Sequence, residues 1–310
     1  MMSFEEFVEE VVKGVADAMG HEYEVTARTV SKNNGITLTG VVIVKKGSKV
    51  TPAIYLDEKY RSYVKEKNSI KMTIEWVMNV YHAQRQDVSL ISAYIGKLEE
   101  YKNVNRQVVF KLVNTRKNRE LLKRIPSIPY MDLSVVFYLY LGSCEGGMFT
   151  ILISNQLLDM WKVTKERMYE DAMKNTPRLL PETFRELEEV IEEMRQEESA
   201  DCNPLIPAGC LEEDNPKRYV LTNWKKIAGA ACLLYPGVLK KCADQLESDL
   251  VIVPSSTNEL MILPYDETID IDEIRCVLQW INMTELPVEE RLSGQVYLYR
   301  RMEEQVMIAA

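Results

Sequence analysis

Histidine is scarce in this chain, with only His21 and His82 among 310 residues. The two lie about 60 positions apart in different predicted elements, which excludes a histidine-rich metal site. The six cysteines form no CxxC pair, so a zinc site built on paired cysteines is also excluded. We therefore predict no metal and no cofactor.

The glycine-rich motifs of phosphate and acyl chemistry are missing as well. The sequence has no GxGxxG, no GxxxxGK[ST] and no GxSxG, which excludes a standard phosphate loop and a nucleophile elbow. Ser255 and Ser256 do follow a predicted strand, but the next segment predicts another strand, so they lie in a hairpin loop. We predict no catalytic residues, and a non-enzymatic protein is favoured.

The chain also lacks long apolar runs and an excess of positive charge. No apolar run approaches the roughly 18 residues of a membrane span. The N-terminal segment is acidic where a signal peptide would be basic. The net charge of -9 disfavours DNA and anionic membrane surfaces as partners. We predict a cytoplasmic protein with reduced thiols, no DNA partner and no membrane partner.

The first region, residues 1–104, predicts a helix, a hairpin and further helices. Apolar residues from Phe4 to Val15 recur at helical spacing, and Gly20 ends the helix. Asn34-Gly35 lies between two runs rich in β-formers, Tyr23–Val30 and Ile36–Val44, which is typical of a β-hairpin.

The rest of the chain predicts an α+β fold in which the order β-α-β-β-α occurs twice. In the second copy the first strand is predicted at Ala231–Tyr235 and the last helix at Asp270–Ile281, with Ile271, Ile274, Val277, Leu278 and Ile281 on its inner stripe. We assign residues 105–195 to a first module with a helical extension and residues 218–310 to a second, as a possible internal repeat. Residues 196–217 lose periodicity and gather proline, glycine and acids, which indicates a linker or mobile loop.

Two polar corners in the second module are the candidate binding site. The residues are Thr222, Asn223, Ser255, Ser256, Asn258 and Glu259. The alternative interpretation is turn chemistry, because Ser, Thr and Asn favour turns by bonding their own backbone. That alternative is the stronger of the two.

A basic cluster in the first module is a second candidate. It comprises Lys111, Arg116, Lys117, Arg119, Lys123 and Arg124, interrupted mainly by Glu120. The functional hypothesis is a docking surface for an acidic partner or for RNA. The alternative is a solvated helix face that balances acidic neighbours, and it is favoured over RNA binding.

Long strings of the sequence resemble an uncharacterised bacterial family, the domain of unknown function 5688. They include YVLTNWKKIAGAACLLYPGVL, DLVIVPSSTNELMILP and DMWKVTKERMYEDAMKNTPRLLP, so the resemblance covers nearly the whole chain. Leu158, Trp161, Ala172 and Asn175 are also similar to a motif of the uncharacterised YtpQ-like proteins. The resemblance implies a bacterial cytosolic or mobile-element-encoded protein and implies no activity.

These observations favour a cytosolic binding or adaptor protein with a protein partner. Two alternatives stay open: an enzyme, either hydrolase or transferase, whose site is assembled only in the fold, and an RNA-binding protein that uses the basic cluster.

Overall fold

The structure is a computed structural model that describes residues 2–46, 53–66, 69–83, 96–144, 147–197, 217–254 and 256–309. Contacts divide the chain into two units, Met1–Asn103 and Val104–Ala310. Helices and antiparallel strands occur in both units, which confirms the α+β class. Most of the predicted loop 196–217 lies outside the described residues, as does Ser255.

The first unit begins with the predicted helix, α1 (Phe4–Met19). Ser3 and Glu6 form a capping box, in which each side chain accepts a hydrogen bond from the other residue's backbone N–H at 3.2 and 2.8 Å. Two of the N–H groups that a helix leaves unpaired at its start are thereby satisfied. The apolar stripe of α1, which includes Phe7, Val11 and Val15, is buried.

The predicted hairpin of the first unit is confirmed. Strands β1 (Tyr23–Ser31) and β2 (Thr37–Lys45) pair antiparallel, and β3 (Ala53–Tyr55) pairs with β2. Asn34 and Gly35 adopt left-handed backbone angles, with φ of 58° and 73°. These are the two residue types that accept such angles most readily, which is why the chain reverses there. Two helices follow, α2 (Asp57–Glu66) and α3 (Ile70–Ala83).

The second unit contains two antiparallel sheets. In the first sheet, β6 pairs with β4 and also with β5 and β7. Its elements are β4 (Val108–Asn114), α4 (Arg119–Leu122), β5 (Ser127–Tyr130), β6 (Leu133–Cys144), β7 (Gly147–Leu152), α5 (Asn155–Trp161) and α6 (Lys165–Leu179). Helix α6 is held on β4 by hydrogen bonds, since Thr176 Oγ1 accepts from Phe110 N at 3.1 Å.

The second sheet has the strand order β13-β12-β10-β11-β9-β8. The strands of this sheet and the helices between them are, in chain order, β8 (Glu182–Glu186), α7 (Leu187–Glu197), β9 (Tyr219–Asn223), α8 (Val238–Leu246), β10 (Leu250–Val253), β11 (Leu260–Pro264), α9 (Ile271–Thr284), β12 (Tyr297–Arg300) and β13 (Gln305–Ile308). Helix α9 covers an apolar cluster on this sheet that includes Val251, Leu278 and Leu298.

The strand predicted at Ala231–Tyr235 is wrong. Gly229–Leu234 form a buried 3-10 helix instead, and the strand of this region is β9.

The pairing order of the strands also differs between the two proposed modules. In the first sheet β6 lies between β4 and β7, whereas in the second β11 lies between β10 and β9. Among β4, β6 and β7, the strand in the middle of the sheet comes second in the chain. Among β9, β10 and β11, the strand in the middle comes third, and this difference argues against the internal repeat.

Asp132 connects the two sheets of the second unit. It lies in the two-residue turn between β5 and β6, where Met131 has a φ of 50°. Its carboxylate accepts hydrogen bonds from Ser293 Oγ and from Tyr297 OH, both at 2.6 Å. Both hydroxyl-bearing residues are buried, so this carboxylate satisfies polar groups that water does not reach.

Candidate functional site

Four of the five described residues of the predicted binding site come together at one place, which we call the polar corner: Thr222, Asn223, Ser256 and Asn258. The register of the second sheet explains why, because Leu221 in the middle of β9 pairs with Leu260 at the start of β11. The last two residues of β9, Thr222 and Asn223, and the residues that precede β11 are therefore neighbours. Ser255, another residue of the predicted six, lies outside the described residues.

The side chains of the polar corner bond to its own backbone. Thr222 Oγ1 donates to Asn258 O at 2.6 Å, and Ser256 Oγ accepts from Asn258 N at 3.0 Å. Asn258 Oδ1 accepts from Ala228 N at 3.0 Å, and Asn223 Nδ2 donates to the carbonyl of residue 227 at 2.8 Å. This geometry is that of side chains fixing a turn rather than facing a ligand.

Gly229 lies at the centre of the polar corner. A Cβ at this position would lie 2.0 Å from Thr222 Oγ1, 2.3 Å from Asn258 O and 2.9 Å from Asn223 N. Such distances are far inside van der Waals contact, so only glycine allows the two strand ends and the 3-10 helix to meet. The polar corner is therefore closely packed around this residue.

The two buried thiols near the corner are poor nucleophiles. Cys232 Sγ donates to Thr222 O at 3.2 Å, and burial raises the pKa of this thiol to about 12. Burial also raises the pKa of the Cys242 thiol to about 12. Both stay protonated at neutral pH, and the thiolate is the reactive form. Cys276, by contrast, is exposed on α9.

Glu259 is the ionisable group at the edge of the polar corner. Burial raises the pKa of its carboxyl above the ordinary value, and the negative charge of Glu290 raises it further, while Lys226 acts in the opposite direction. The raised pKa reflects an unfavourable environment for the carboxylate. A carboxyl in this state holds its proton more readily than an exposed glutamate does.

Replacing Glu259 by glutamine is expected to stabilise the protein at neutral pH. A carboxyl whose pKa is raised by folding destabilises the folded state once the pH exceeds that pKa, because the charge is better solvated in the unfolded chain. Below about pH 4, where the carboxyl is protonated in both states, the gain should disappear. Thermal unfolding of wild type and Glu259→Gln across this range measures the difference, with the exposed Glu267→Gln as control. A gain in stability that does not depend on pH would contradict the raised pKa of the Glu259 carboxyl.

The basic cluster surrounds the connection between β4 and β5. Its cations lie mostly outside a helix: residues 115–118 form a turn and α4 spans only Arg119–Leu122. We call the exposed cations of this connection the basic patch: Arg116, Lys117, Arg119, Lys123 and Arg124. Lys123 forms an ion pair with Glu120 at 2.6 Å. Lys111 is half-buried in β4, with its Nζ 6.0 Å from the centre of the Tyr138 ring.

Four cations of the basic patch form no ion pair with the described residues. Within the described part of the chain, no carboxylate oxygen lies within 4.0 Å of the side-chain nitrogens of Arg116, Lys117, Arg119 or Arg124. Burial lowers the pKa of Lys117, and the positive charges of Arg291 and Arg116 lower it further. Arg291 thus joins the patch from a distant part of the sequence, which is why sequence reasoning missed it.

A second feature that the sequence did not predict is the outer face of α9, which we define as Cys276, Val277, Trp280 and Met283. All four residues are exposed. Val277 was expected on the inner stripe, but 46% of it is accessible to solvent, whereas Leu278 is buried. The inner stripe is displaced because Leu278 and Asn282 point towards the sheet.

The described residues contain no group of three His, Cys, Asp or Glu side chains that could hold a metal ion. Over the same residues, no helix combines the length and apolar character needed to cross a membrane.

A model of a protein family described as "Family of unknown function (DUF5688)" matches residues 4–301. Neither the curated proteins nor the solved structures contain a match. Similarity to the YtpQ-like proteins stays a prediction.

Proposed function

Since the chain belongs to the family of unknown function DUF5688, we propose its role from its surface chemistry: it is a non-enzymatic binding or adaptor protein that holds an acidic protein partner on the basic patch. The observation that carries this proposal is the set of four cations that form no ion pair within 4.0 Å in the described part of the chain, whose net charge over the full sequence is -9. A cytoplasmic location in a bacterial host belongs to the same proposal.

Repulsion within the basic patch supports an anionic partner. Lys117 is partly desolvated and lies in the field of Arg116 and Arg291, so its charged form is disfavoured in the isolated protein. A carboxylate placed among these cations would relieve the repulsion and gain charge-assisted hydrogen bonds. Complementary charges of this kind also steer a partner to its site and fix its orientation.

The polar corner gives less support to catalysis. Its hydroxyl and amide groups form hydrogen bonds with the local backbone, and the nearby thiols are protonated at neutral pH. Glu259 is the group that favours the alternative of a hydrolase or transferase, because a proton donor needs a raised pKa. A thermal-shift panel of nucleotides, divalent metals and sugars tests this alternative. A reproducible rise of several degrees with one ligand, abolished by Glu259→Gln, would favour it.

RNA binding is the other alternative, because phosphates and carboxylates both suit the basic patch. Two probes separate them: a fluorescein-labelled polyglutamate peptide and a labelled oligouridine of similar length. We expect the peptide to bind and the oligouridine to bind no better. Tighter binding of the oligouridine would overturn the protein-partner proposal in favour of RNA.

Charge reversal in the basic patch is expected to weaken peptide binding. Arg116→Glu/Arg119→Glu should lower the affinity for polyglutamate by about tenfold, which corresponds to about 1.4 kcal/mol. Lys165→Glu/Lys174→Glu makes the same charge change at two exposed lysines of α6 and should bind like wild type. Fluorescence anisotropy gives the affinities. Equal losses in both variants would mean that net charge, and not the basic patch, attracts the peptide.

A further inference from the structure

One asparagine connects the basic patch to the second sheet. Asn114 is the last residue of β4, and its Oδ1 accepts a hydrogen bond from Lys117 N at 3.0 Å. Its Nδ2 donates to Leu292 O at 2.9 Å. Leu292 follows Arg291 directly in the chain. A single side chain therefore holds the backbone of Lys117 on one side and the backbone next to Arg291 on the other.

The turn that carries Lys117 is also fixed to the first sheet. The backbone carbonyl of Asn114 accepts from Asn118 Nδ2 at 2.9 Å, and Asn118 is only 2% exposed. Thr115 N donates to Asp132 O at 3.1 Å. Asparagine side chains that bond to nearby backbone groups are a usual means of fixing a turn. The backbone at Lys117 therefore has a defined position.

Arg291 is held from its own side of the junction between the two sheets. Its Nε donates to Leu286 O at 3.0 Å, and its Nη2 donates to Met283 O at 3.3 Å. These carbonyls lie at the C-terminal end of α9 and just after it, where the helix dipole favours a cation. The guanidinium is thus anchored to the second sheet and its helix, and Asn114 connects that anchored segment to the turn of the first sheet.

Lys117 and Arg291 repel each other in the isolated protein. Burial lowers the pKa of the Lys117 amino group, and the positive charges of Arg291 and Arg116 lower it further. The carboxylate of Glu290, which precedes Arg291 in the chain, acts on Glu259. Like charges held close together disfavour each other's charged form. An anionic group placed between the two cations would remove this repulsion and accept charge-assisted hydrogen bonds from both.

We propose that Lys117 and Arg291 receive one carboxylate of the acidic partner between them and that Asn114 is the residue that positions the two cations, an inference that rests on the proposed binding of an acidic partner. The two cations come from segments of different sheets, so the bound partner covers the junction between the sheets of the second unit. Asn114 carries no charge, and it acts on binding only through the cations that it positions.

A double-mutant cycle with the labelled polyglutamate peptide tests this role. Asn114→Ala should weaken peptide binding by about fivefold, although it removes no charge. Arg291→Gln should weaken binding at least as much, and adding Asn114→Ala to Arg291→Gln should have no further effect, because the positioned cation is gone. Asn155→Ala is the control: it removes a comparable hydrogen bond, from Asn155 Nδ2 to Lys123 O at 3.1 Å, and should bind like wild type.

Two outcomes of the cycle would overturn the proposal. One is a wild-type affinity in Asn114→Ala. The other is an equal loss of affinity from Asn114→Ala with and without Arg291, because the asparagine would then act on the turn alone. Thermal unfolding of each variant, with a midpoint well above the temperature of the binding measurement, confirms that the variant is folded.

Titration of Lys117 tests the positioning without any partner. Lysines that carry isotope-labelled methyl groups keep their charge, and the resonance of Lys117 is the one that is missing from Lys117→Arg. The pKa of Lys117 should rise in Asn114→Ala and in Arg291→Gln, because the repulsion between the cations is relaxed. An unchanged pKa in Asn114→Ala would overturn the positioning role even where the peptide binds. An absence of peptide binding by wild type would instead overturn the proposed function, so the two failures are distinguishable.

Discussion

Replacing Gly229 by alanine is expected to destabilise the second unit by about 3 kcal/mol, combining the cost of overpacking with a lost hydrogen bond. The added Cβ would lie 2.0 Å from Thr222 Oγ1 and 2.3 Å from Asn258 O, the two atoms that form the 2.6 Å bond of the polar corner. Two of the three nearest atoms belong to the backbone, so the clash cannot be relieved by a side-chain rotation. The strand ends themselves would have to separate.

Urea unfolding followed by tryptophan fluorescence measures this loss. A Trp76→Phe background leaves the tryptophans at 161, 224 and 280, all in the second unit, so the signal reports that unit alone. Gly294→Ala is the control, because its nearest neighbouring atom, Gln279 Cγ, lies 4.0 Å from the added carbon. The control should be neutral or slightly stabilising. A Gly229→Ala variant as stable as the control would contradict the packing described here.

Asp132→Ala is expected to have an effect of similar size, about 3 kcal/mol. The substitution removes the acceptor of both Ser293 Oγ and Tyr297 OH, and both residues are buried. A buried hydroxyl left without a partner costs about 1–3 kcal/mol, and the two bonds lost here are to a charged acceptor. Because the bonds join the turn after β5 to β12 and the segment before it, their loss should also weaken the contact between the two sheets.

The matched control for Asp132 is Asp266→Ala. Asp266 also accepts two hydrogen bonds, from Thr268 N and Thr268 Oγ1, each at 2.7 Å, but these groups are exposed. Water can replace the lost bonds there, so the cost should stay below about 1 kcal/mol. The same urea experiment compares the two variants. Equal costs would mean that burial of the Asp132 network contributes little.

Local sequence signals predicted the elements whose structure is decided locally. Asn34-Gly35 accepts left-handed angles that few other pairs accept, so the hairpin could be placed from two residues. Helix α1 could be placed because its apolar spacing and its acidic face agree with Ser3 and Gly20 at its ends. Neither depends on what packs against it.

The apolar run at Ala231–Tyr235 was misread because a short buried run has no periodicity that separates a strand from a helix. The deciding contact is tertiary: Gly229 packs under Thr222 and Asn258, and this position leaves the following residues in a tight 3-10 helix. Only the β9–β11 register reveals that contact. The same register explains why the predicted polar residues meet.

The basic patch and the outer face of α9 could be predicted only in part from the sequence. Five cations of the basic patch are close together in the chain, but Arg291 reaches Lys117 only through the fold. On α9, Val277 and Leu278 are equally apolar, and the orientation of the helix on the sheet determines which of them is buried. A pattern of apolar residues gives the period of a helix, and packing selects the inner side.

Affinity capture with three baits in parallel tests the central proposal most directly. The baits are the tagged wild type, Arg116→Glu/Arg119→Glu, and Lys165→Glu/Lys174→Glu. Each bait is exposed to lysate of the native host with and without nuclease treatment, and the captured proteins are quantified by mass spectrometry. We expect wild type and the lysine control to capture a stoichiometric acidic protein from both lysates, and the arginine variant to capture much less of it. Retention of the same proteins by all three baits, or an acidic partner lost on nuclease treatment, would contradict the proposal.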